Sequence, residues 1–242
     1  MKFYITIFGF LFVNILSAQK QLENIEQKIF TAYSESIQSK TDQLQSVYET
    51  LKTLDNQDNK VSYWMAFAKY QQARYTNRTD NGKAAFKYLK EGIEILKSIK
   101  KPSSEDLVLH GTLMSFSMVF QRNLAAVISG KTNALLDKAL KANKNNLRVY
   151  LAIGRSDYFK PAQYGGGFKV ESYLKQALTK PDKTSENSFA PTWGREQVYY
   201  FLVSFLAREN RIEEAKLYYH QGLKKFPDSY KLKSLKSKFN GE

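Results

Sequence analysis

The chain of 242 residues contains no cysteine. It therefore has no disulfide framework, no thiolate zinc site, no iron–sulfur cluster, no cysteine nucleophile and no cysteine for a bacterial lipid anchor. Glycine (12 residues) and proline (5 residues) are also scarce, which argues against a β-rich fold with many tight turns. Because 43% of the residues are hydrophobic and 14% are aromatic, the chain can build a packed core, and we exclude a disordered protein.

Residues 1–18 are typical of a secretory signal peptide. Lys2 supplies the positive charge, an apolar segment follows from residue 3 to residue 16, and Ala18 is the small residue at the cleavage site. A retained membrane anchor is the alternative, but the apolar segment is shorter than the roughly 20 residues of a spanning helix. We predict an exported protein, periplasmic or alternatively extracellular, with no transmembrane segment after cleavage.

Basic residues outnumber acidic ones, with 37 Lys and Arg against 23 Asp and Glu, and the formal net charge is +14. A surface of this charge attracts anionic partners. Nucleic acid would satisfy the charge, but an exported protein rarely meets it, so we predict no nucleic-acid partner. A protein or peptide is the expected partner, and an anionic ligand or surface is the alternative.

From residue 19 onwards, apolar residues recur every three or four positions, as in amphipathic helices. Ile25 and Ile29 lie on one such stripe, and Leu44 and Leu51 lie on a second. A polar, turn-prone segment follows. Residues 19–60 are therefore predicted to form an N-terminal pair of helices.

A two-helix pattern then recurs four times and is clearest near the C-terminus. In this last copy, the large residues Tyr199 and Leu202 mark a first helix, and the small residues Ala215 and Gly222 mark a second helix before Pro227. These spacings resemble the tetratricopeptide repeat (TPR), whose pattern is Trp-x2-Leu-Gly-x2-Tyr, then Ala-x3-Phe, then Pro. The resemblance implies an all-α, TPR-like right-handed superhelical solenoid of antiparallel helix pairs.

The repeats are irregular in length. Corresponding positions of the second helices are Ala85, Thr132, Val170 and Ala215, at separations of 47, 38 and 45 residues, against about 34 for a TPR unit. We therefore predict about four TPR-like repeats over residues 61–227, each with a lengthened loop. The residues expected to pack the repeats together are Trp64, Ala68, Ala85, Leu89, Leu136, Ala139, Tyr150, Ile153, Gly154, Leu174, Ala177, Tyr199, Leu202, Ala215, Tyr219, Gly222 and Pro227.

Residues 228–242 are predicted to form a capping helix. Leu232, Leu235 and Phe239 lie on one helical face, and lysines cover the other. A solenoid needs a terminal element with a polar outer surface. A basic amphipathic helix lying on an anionic membrane is the alternative.

The insertion between residues 160 and 169 contains three consecutive glycines ahead of a helix. Glycines there supply either a tight turn or backbone N–H groups for an anion. Many of the 16 tyrosines and 16 phenylalanines must belong to the core. The others, with Tyr70 and Tyr75 among the candidates, are expected on a partner-facing concave surface, and the sequence does not decide which residues these are. The speculative ligand contacts are Tyr158, Lys160, Tyr164, Gly165, Gly166, Gly167 and Lys169.

Catalytic motifs are missing from the sequence. The two histidines, His110 and His220, have no carboxylate or second histidine at ligand spacing. We predict a non-enzymatic exported binding or scaffold protein, without metal or cofactor, that holds a protein or peptide on its concave helical surface. The alternatives are an accessory subunit of an envelope transport or outer-membrane assembly system, and an enzyme with scattered site residues.

Overall fold

The computed structural model describes residues 22–54, 59–184 and 189–239. The predicted signal peptide, 1–18, lies outside these residues. All regular structure within the described ranges is helical, and these ranges contain no strand. The all-α prediction is confirmed.

The described ranges contain eleven α-helices and three short 3-10 segments. The α-helices are α1 Ile25–Ser39, α2 Leu44–Lys52, α3 Lys60–Arg78, α4 Gly82–Lys97, α5 Ser104–Ser117, α6 Ala125–Ala142, α7 Leu147–Phe159, α8 Val170–Leu178, α9 Arg195–Arg208, α10 Ile212–Lys225 and α11 Tyr230–Lys233. The 3-10 segments are Arg122–Leu124, Ala162–Tyr164 and Ser234–Phe239. None of the helices in the described ranges is both long enough and apolar enough to cross a bilayer.

Local sequence signals set where the helices begin and turn. Ser103 and Asp106 form a capping box at the start of α5, which satisfies backbone N–H groups of the first turn. The side chain of Asn146 accepts the N–H of Arg148 and caps the start of α7. Asp80, between α3 and α4, and Asn210, between α9 and α10, both have φ of 58°, a left-handed conformation that Asp and Asn adopt more readily than most residues. These residues close the tight turns of two helical hairpins.

The helices pack as a stack of hairpins. The closest partners along the chain are α3 with α4, α5 with α6, α7 with α8, and α9 with α10. Each first helix, from α5 onwards, also contacts both helices of the preceding pair, and α1 and α2 pack on α3. Stacking of this kind buries the apolar face that an isolated hairpin would leave exposed. The right-handed superhelix stays a prediction.

Small residues allow the paired helices to approach closely. A Cβ atom added to Gly154 of α7 would lie 2.9 Å from the side chain of Leu174 in α8, too close without a shift of the leucine. Ala177 and Ala215 have no exposed surface. Of the residues expected to pack the repeats, Trp64, Ala68, Ala85, Leu89, Leu136, Ala139, Tyr150, Gly154, Leu174, Ala177, Leu202, Ala215, Tyr219 and Gly222 are buried, and Ile153 and Tyr199 are half-buried.

The expectation for Pro227 is wrong. This proline is exposed because α10 already ends at Lys225, which places Pro227 in the turn that leads to α11. The apolar residues of the following segment are buried: Leu232 is 0% and Leu235 is 2% exposed. The ring of Phe239 packs edge-on against Tyr219 of α10, with 5.0 Å between the centroids.

The described residues between α8 and α9, 179–184 and 189–194, reach back to the first helices of the stack, and we call them the strap. The indole N–H of Trp193 donates to the hydroxyl of Tyr63 in α3 at 2.9 Å. The indole N–H of Trp64 donates to the carbonyl of Phe189 at 3.2 Å. The backbone N–H and hydroxyl of Thr192 donate to the carboxylate of Glu26 in α1 at 2.7 and 2.8 Å. The strap therefore joins helices that are far apart in the sequence.

Two arginines hold the ends of the strap. Arg148 of α7 is fully buried; it makes a bidentate pair with Glu105 of α5, both bonds being 2.7 Å. Its remaining donor group bonds to the carbonyls of Asp182 at 3.0 Å and Trp193 at 2.8 Å. Arg195, at the start of α9, donates to the carboxylate of Asp182 at 2.5 Å. The buried guanidinium of Arg148 thus has a partner on α5 and at both ends of the strap.

We expect Arg148→Met to destabilise the fold by about 3–5 kcal/mol, because it leaves the largely buried carboxylate of Glu105 and two carbonyls without their donor. Chemical denaturation measures the loss. The tryptophan emission of the native state reports release of the strap directly, since the only two tryptophans are both bonded within it or to it.

The exposed pair of Lys216 with Glu213 provides the control, and Lys216→Met should change stability by less than about 1 kcal/mol. Adding Glu105→Gln to Arg148→Met should restore part of the loss, because the buried charge is removed. Unchanged stability and emission in Arg148→Met would show that this pair does not hold the strap.

Candidate functional site

One stripe of α3 faces the inside of the stack. Tyr63, Phe67, Tyr70 and Arg74 follow one another at spacings of four, three and four residues, which places them on one side of the helix. The strap covers the first half of this stripe, where the ring of Trp193 stacks on Phe67 with centroids 5.3 Å apart. The strap does not cover the second half, Tyr70 and Arg74, which contacts side chains of other helices instead.

Side chains from three other first helices converge on this second half. Arg155 of α7 donates to the hydroxyl of Tyr70 at 2.7 Å. The ring of Phe116 in α5 meets the Tyr70 ring edge-on, with 6.3 Å between centroids. The guanidinium of Arg74 lies over the ring of Tyr33 in α1, 5.0 Å from its centroid. Because α3 and α7 belong to hairpins separated by a whole repeat, only a stacked arrangement brings these groups together.

Lys231 of α11 completes a set of three cations around the phenol of Tyr70. Burial, together with the neighbouring Arg74, lowers the pKa of Lys231 to about 8, and Glu196 of α9 opposes this shift. Arg155 lies over the ring of Phe201 in α9, 5.7 Å from its centroid. We call Tyr70, Arg74, Arg155 and Lys231 the inner basic cluster.

The positive charge of the inner basic cluster is not neutralised locally. Among the described residues, none of its three cations has a carboxylate oxygen within 4.0 Å, although the long-range influence of Glu196 reaches Lys231. Burial by itself raises the pKa of Tyr70, but Arg155 and Arg74 outweigh this effect and the pKa is lowered. A half-buried set of cations that stabilises a phenolate will also stabilise a bound carboxylate or phosphate.

A buried amide adds a donor beside Arg74. Gln71 of α3 is 0% exposed, and its side-chain oxygen accepts a hydrogen bond from Arg74 at 2.6 Å. Its side-chain nitrogen has no hydrogen-bond partner among the described residues. Buried polar groups without a partner are uncommon in folded proteins, so this nitrogen is a further donor at the edge of the cluster.

The sequence-based expectation for two tyrosines is wrong. Tyr70 and Tyr75 were expected on an exposed concave surface, but only 2% and 6% of their surfaces are exposed. Both lie on α3, which is covered by α1, α4, α5 and the strap. The regular spacing of Tyr63, Phe67, Tyr70 and Arg74 was the available signal that Tyr70 continues a core stripe.

The structure places the glycine-rich insertion at the end of α7, within one folded loop. Gly165, Gly166 and Gly167 each donate their N–H to a carbonyl of the same region, namely those of Ala162, Pro161 and Asp157. Gly165 and Gly167 have φ of 77° and 96°. A Cβ atom on Gly166 would lie 1.9 Å from the carbonyl oxygen of Lys160. The glycines are therefore required by the turn, and their N–H groups do not form an open anion site.

In the copy of the repeat that begins at Tyr150, Asp157 occupies the position of the tyrosine in the TPR pattern, and it bonds to the loop after α7. Its carboxylate accepts the N–H of Lys169 at 2.6 Å, and its carbonyl accepts the N–H groups of Lys160 and Gly167 at 3.3 and 3.2 Å. The side chain of Tyr158 is half-buried beneath Arg208, whereas Tyr164 is 67% exposed. A ligand-contacting role for these loop residues stays a prediction.

A separate cavity of about 520 Å³ opens at the start of α3 and α5, beneath the strap. Its lining contains Lys101 together with Glu105 and Asp106, so its charge is mixed. Glu105 is paired with Arg148, and Asp106 belongs to the capping box. These groups serve the fold, and the inner basic cluster is the stronger candidate for ligand binding.

The described residues contain no group of three or more His, Asp or Glu that could hold a metal ion. His110 lies half-buried on α5, where burial, followed by the charge of Lys97, lowers its pKa. Its Nε2 atom has no hydrogen-bond partner among the described residues. His220 lies on the exposed side of α10, next to the ring of Tyr219. The two histidines are on different helices that do not form a common site.

No protein-family model and no curated protein matches this chain. Among solved structures, the HusA haemophore from Porphyromonas gingivalis has a similar fold, with a TM-score of 0.53 and 17% identity, covering 80% of this chain and 93% of that chain. A thermophilic TPR protein of Thermus thermophilus has a TM-score of 0.54 and 18% identity, covering 86% of this chain and 95% of that chain. At such low identity the likeness shows the fold alone, and the predicted TPR-like fold is confirmed.

The pKa of Lys231 leads to a test of the inner basic cluster. Because this pKa is about 8 in the folded protein and about 10.4 in an unfolded chain, the protonated lysine opposes folding below pH 8. This penalty is relieved as the pH rises from about 8 to about 10.4. We expect Lys231→Met to raise the free energy of unfolding at pH 7 by about 1–2 kcal/mol, after allowance for solvent screening, and to flatten its rise above pH 8.

Urea denaturation at several pH values measures both effects, and Lys233→Met, an exposed lysine on the same helix, should show neither. The other charged or titratable groups facing Lys231 are Tyr70, Arg74, Arg155 and Glu196. Tyr70 also has a lowered pKa. If the free energy of unfolding of Lys231→Met still rises with pH, the double variant with Tyr70→Phe shows whether Tyr70 causes the remaining rise. If Lys231→Met changed neither the free energy of unfolding at pH 7 nor its rise with pH above pH 8, the burial of this charge would be contradicted.

Proposed function

We propose that this chain is an exported, non-enzymatic binding protein that holds an acidic segment of a protein or peptide against the inner basic cluster. The observation that carries the proposal is the convergence of Arg74, Arg155 and Lys231 on Tyr70 without a carboxylate partner within 4.0 Å among the described residues. Export rests on the N-terminal residues, which the structure does not describe.

The chemistry of the cluster suits carboxylates. Guanidinium groups bind carboxylates through paired, charge-assisted hydrogen bonds, which are stronger than neutral ones. Arg74 and Arg155 both lie over aromatic rings, which restricts their motion. One terminal N–H group of each is used within the protein, on Gln71 and on Tyr70, and the remaining donors are available to a ligand. Tyrosine and arginine are also the residues that contribute most at protein interfaces.

The position of the cluster suits an elongated ligand. Its members and the rings beside them come from α1, α3, α5, α7, α9 and α11. Concave surfaces built from successive repeats bind extended segments along several repeats. A peptide with several acidic residues would contact more than one of these helices.

The direct experiment measures the binding of fluorescein-labelled hexaglutamate by anisotropy at low ionic strength, using the chain from Gln19 onwards. We expect Arg74→Gln and Arg155→Gln each to weaken binding about tenfold or more, since a hydrogen bond to a charged group contributes about 1.5–3 kcal/mol. The affinity of the unaltered chain should fall steeply with added salt.

Arg78→Gln is the matched control, because Arg78 is exposed on the same helix and the change in net charge is identical. It should retain nearly full affinity. Equal losses in Arg78→Gln and Arg155→Gln would mean that only the overall charge attracts the probe, and would refute a specific inner site. Circular dichroism establishes that each variant is folded.

Haem carriage is a second candidate function, favoured by the likeness of fold to a haemophore. A haem presents two carboxylates on a flat apolar ring, and the inner face presents guanidinium groups next to the rings of Tyr33, Phe116 and Phe201. Titration with hemin, followed by its Soret absorbance, tests this candidate. Haem would be favoured over an acidic peptide by three results together. Hemin binding is saturable, Arg155→Gln weakens it while Arg78→Gln does not, and the chain does not bind hexaglutamate.

A further inference from the structure

The loop that joins α7 to α8 exposes three large aromatic side chains. Phe159, Tyr164 and Phe168 are 64%, 67% and 85% exposed. Single exposed apolar residues are normal on a protein surface, but three aromatics within ten residues are a concentrated apolar surface. We call residues 159–169 the aromatic loop.

The backbone of the aromatic loop is fixed at both ends. The N–H groups of Lys160, Gly167 and Lys169 all bond to Asp157, two of them to its carbonyl and one to its carboxylate. Phe159 precedes the first of these bonded residues, and Phe168 lies between the other two. Both residues therefore lie on an ordered turn at the C-terminal end of α7. The Phe159 ring also packs edge-on against Phe201 of α9, with 5.7 Å between centroids, so Tyr164 and Phe168 are the most exposed rings of the loop.

The charge around these rings is positive. Lys160 and Lys169 are exposed, and there is no Asp or Glu from residue 158 to residue 170. Asp157 is only 8% exposed and is used by the loop itself. At the base of the loop, the guanidinium of Arg208 lies 4.6 Å from the ring centroid of Tyr158 and is paired with Glu209 at 3.4 Å, so the cations of the loop surface are Lys160 and Lys169. The loop thus combines an apolar tip with cations, and no exposed carboxylate lies on the loop itself.

We propose that the aromatic loop docks this protein onto an anionic membrane surface. Tyr164 and Phe168 would enter the head-group region, where aromatic side chains are favoured, while Lys160 and Lys169 pair with lipid phosphates. Apolar insertion and electrostatic attraction together determine the strength of such peripheral binding. The net charge of +14 acts in the same direction. The loop adjoins the inner basic cluster, since the Phe159 ring packs edge-on against Phe201, the ring beneath Arg155. Tyr164 and Phe168 are not members of that cluster, and the inference does not depend on the proposed function.

Flotation with lipid vesicles tests the inference, using the chain from Gln19 onwards. The probes are vesicles of phosphatidylcholine alone and vesicles that also contain phosphatidylglycerol. We expect binding to the anionic vesicles only. The double variant Tyr164→Ser with Phe168→Ser should bind them at least about tenfold more weakly, because each exposed ring contributes apolar burial. Leu217→Ser with Tyr230→Ser, which alters residues 54% and 79% exposed elsewhere, should bind normally.

Charge reversal tests the electrostatic part. Lys160→Glu with Lys169→Glu should abolish binding, while Lys236→Glu with Lys238→Glu, the same change in the exposed C-terminal segment, should not. Failure of the unaltered chain to float, equal flotation with both vesicle types, or loss of binding only in the C-terminal variant would each overturn the inference. Failure to float would favour a protein partner for this loop. Unchanged circular dichroism excludes unfolding of the variants.

Discussion

A buried guanidinium is stable only where every strong donor has an acceptor, and this requirement organises the whole stack around Arg148. The bidentate pair with Glu105 joins α7 to α5, and the carbonyls of Asp182 and Trp193 bring both ends of the strap to the same point. An ion pair of this kind is costly to break because each partner would remain buried without the other. It therefore fixes both described parts of the strap against α5 and α7.

The position of the strap determines which half of the α3 stripe it covers. Trp193 occupies the surface over Phe67 and hydrogen-bonds to Tyr63, so the first half of the α3 stripe belongs to the core. The second half meets Arg155, Phe116 and Lys231 instead. The same stripe of one helix thus changes from an apolar core to a basic surface over two helical turns. This division gives a TPR-like stack a short, charged inner site.

The fold was more accessible to sequence analysis than the candidate site. Small residues such as Gly154, Ala177 and Ala215 indicate close contacts between helices, because their spacing follows the helical period. This period is a local property of the sequence. Arg74 could have been connected to the stripe of Tyr63, Phe67 and Tyr70 by the same argument. Arg155 and Lys231 could not, since their approach to Tyr70 depends on the stacking of separate hairpins. The three glycines among the predicted ligand contacts form an internally bonded turn. Tyr164, also among these contacts, is exposed, whereas no local pattern indicates that Phe159 and Phe168 are exposed.

The sequence by itself determined the all-α class, the paired helices and the excess of positive charge, because periodicity, capping residues and composition act over a few residues or over the whole chain. Only the tertiary structure decided where that charge is concentrated and which aromatic residues reach the surface. The reason is physical: Tyr70 and Arg155 are 85 residues apart in sequence, and neither residue has a local preference for the other. Their contact, and the basic site around it, exists only because stacked apolar helix faces and buried hydrogen bonds together hold distant hairpins in place.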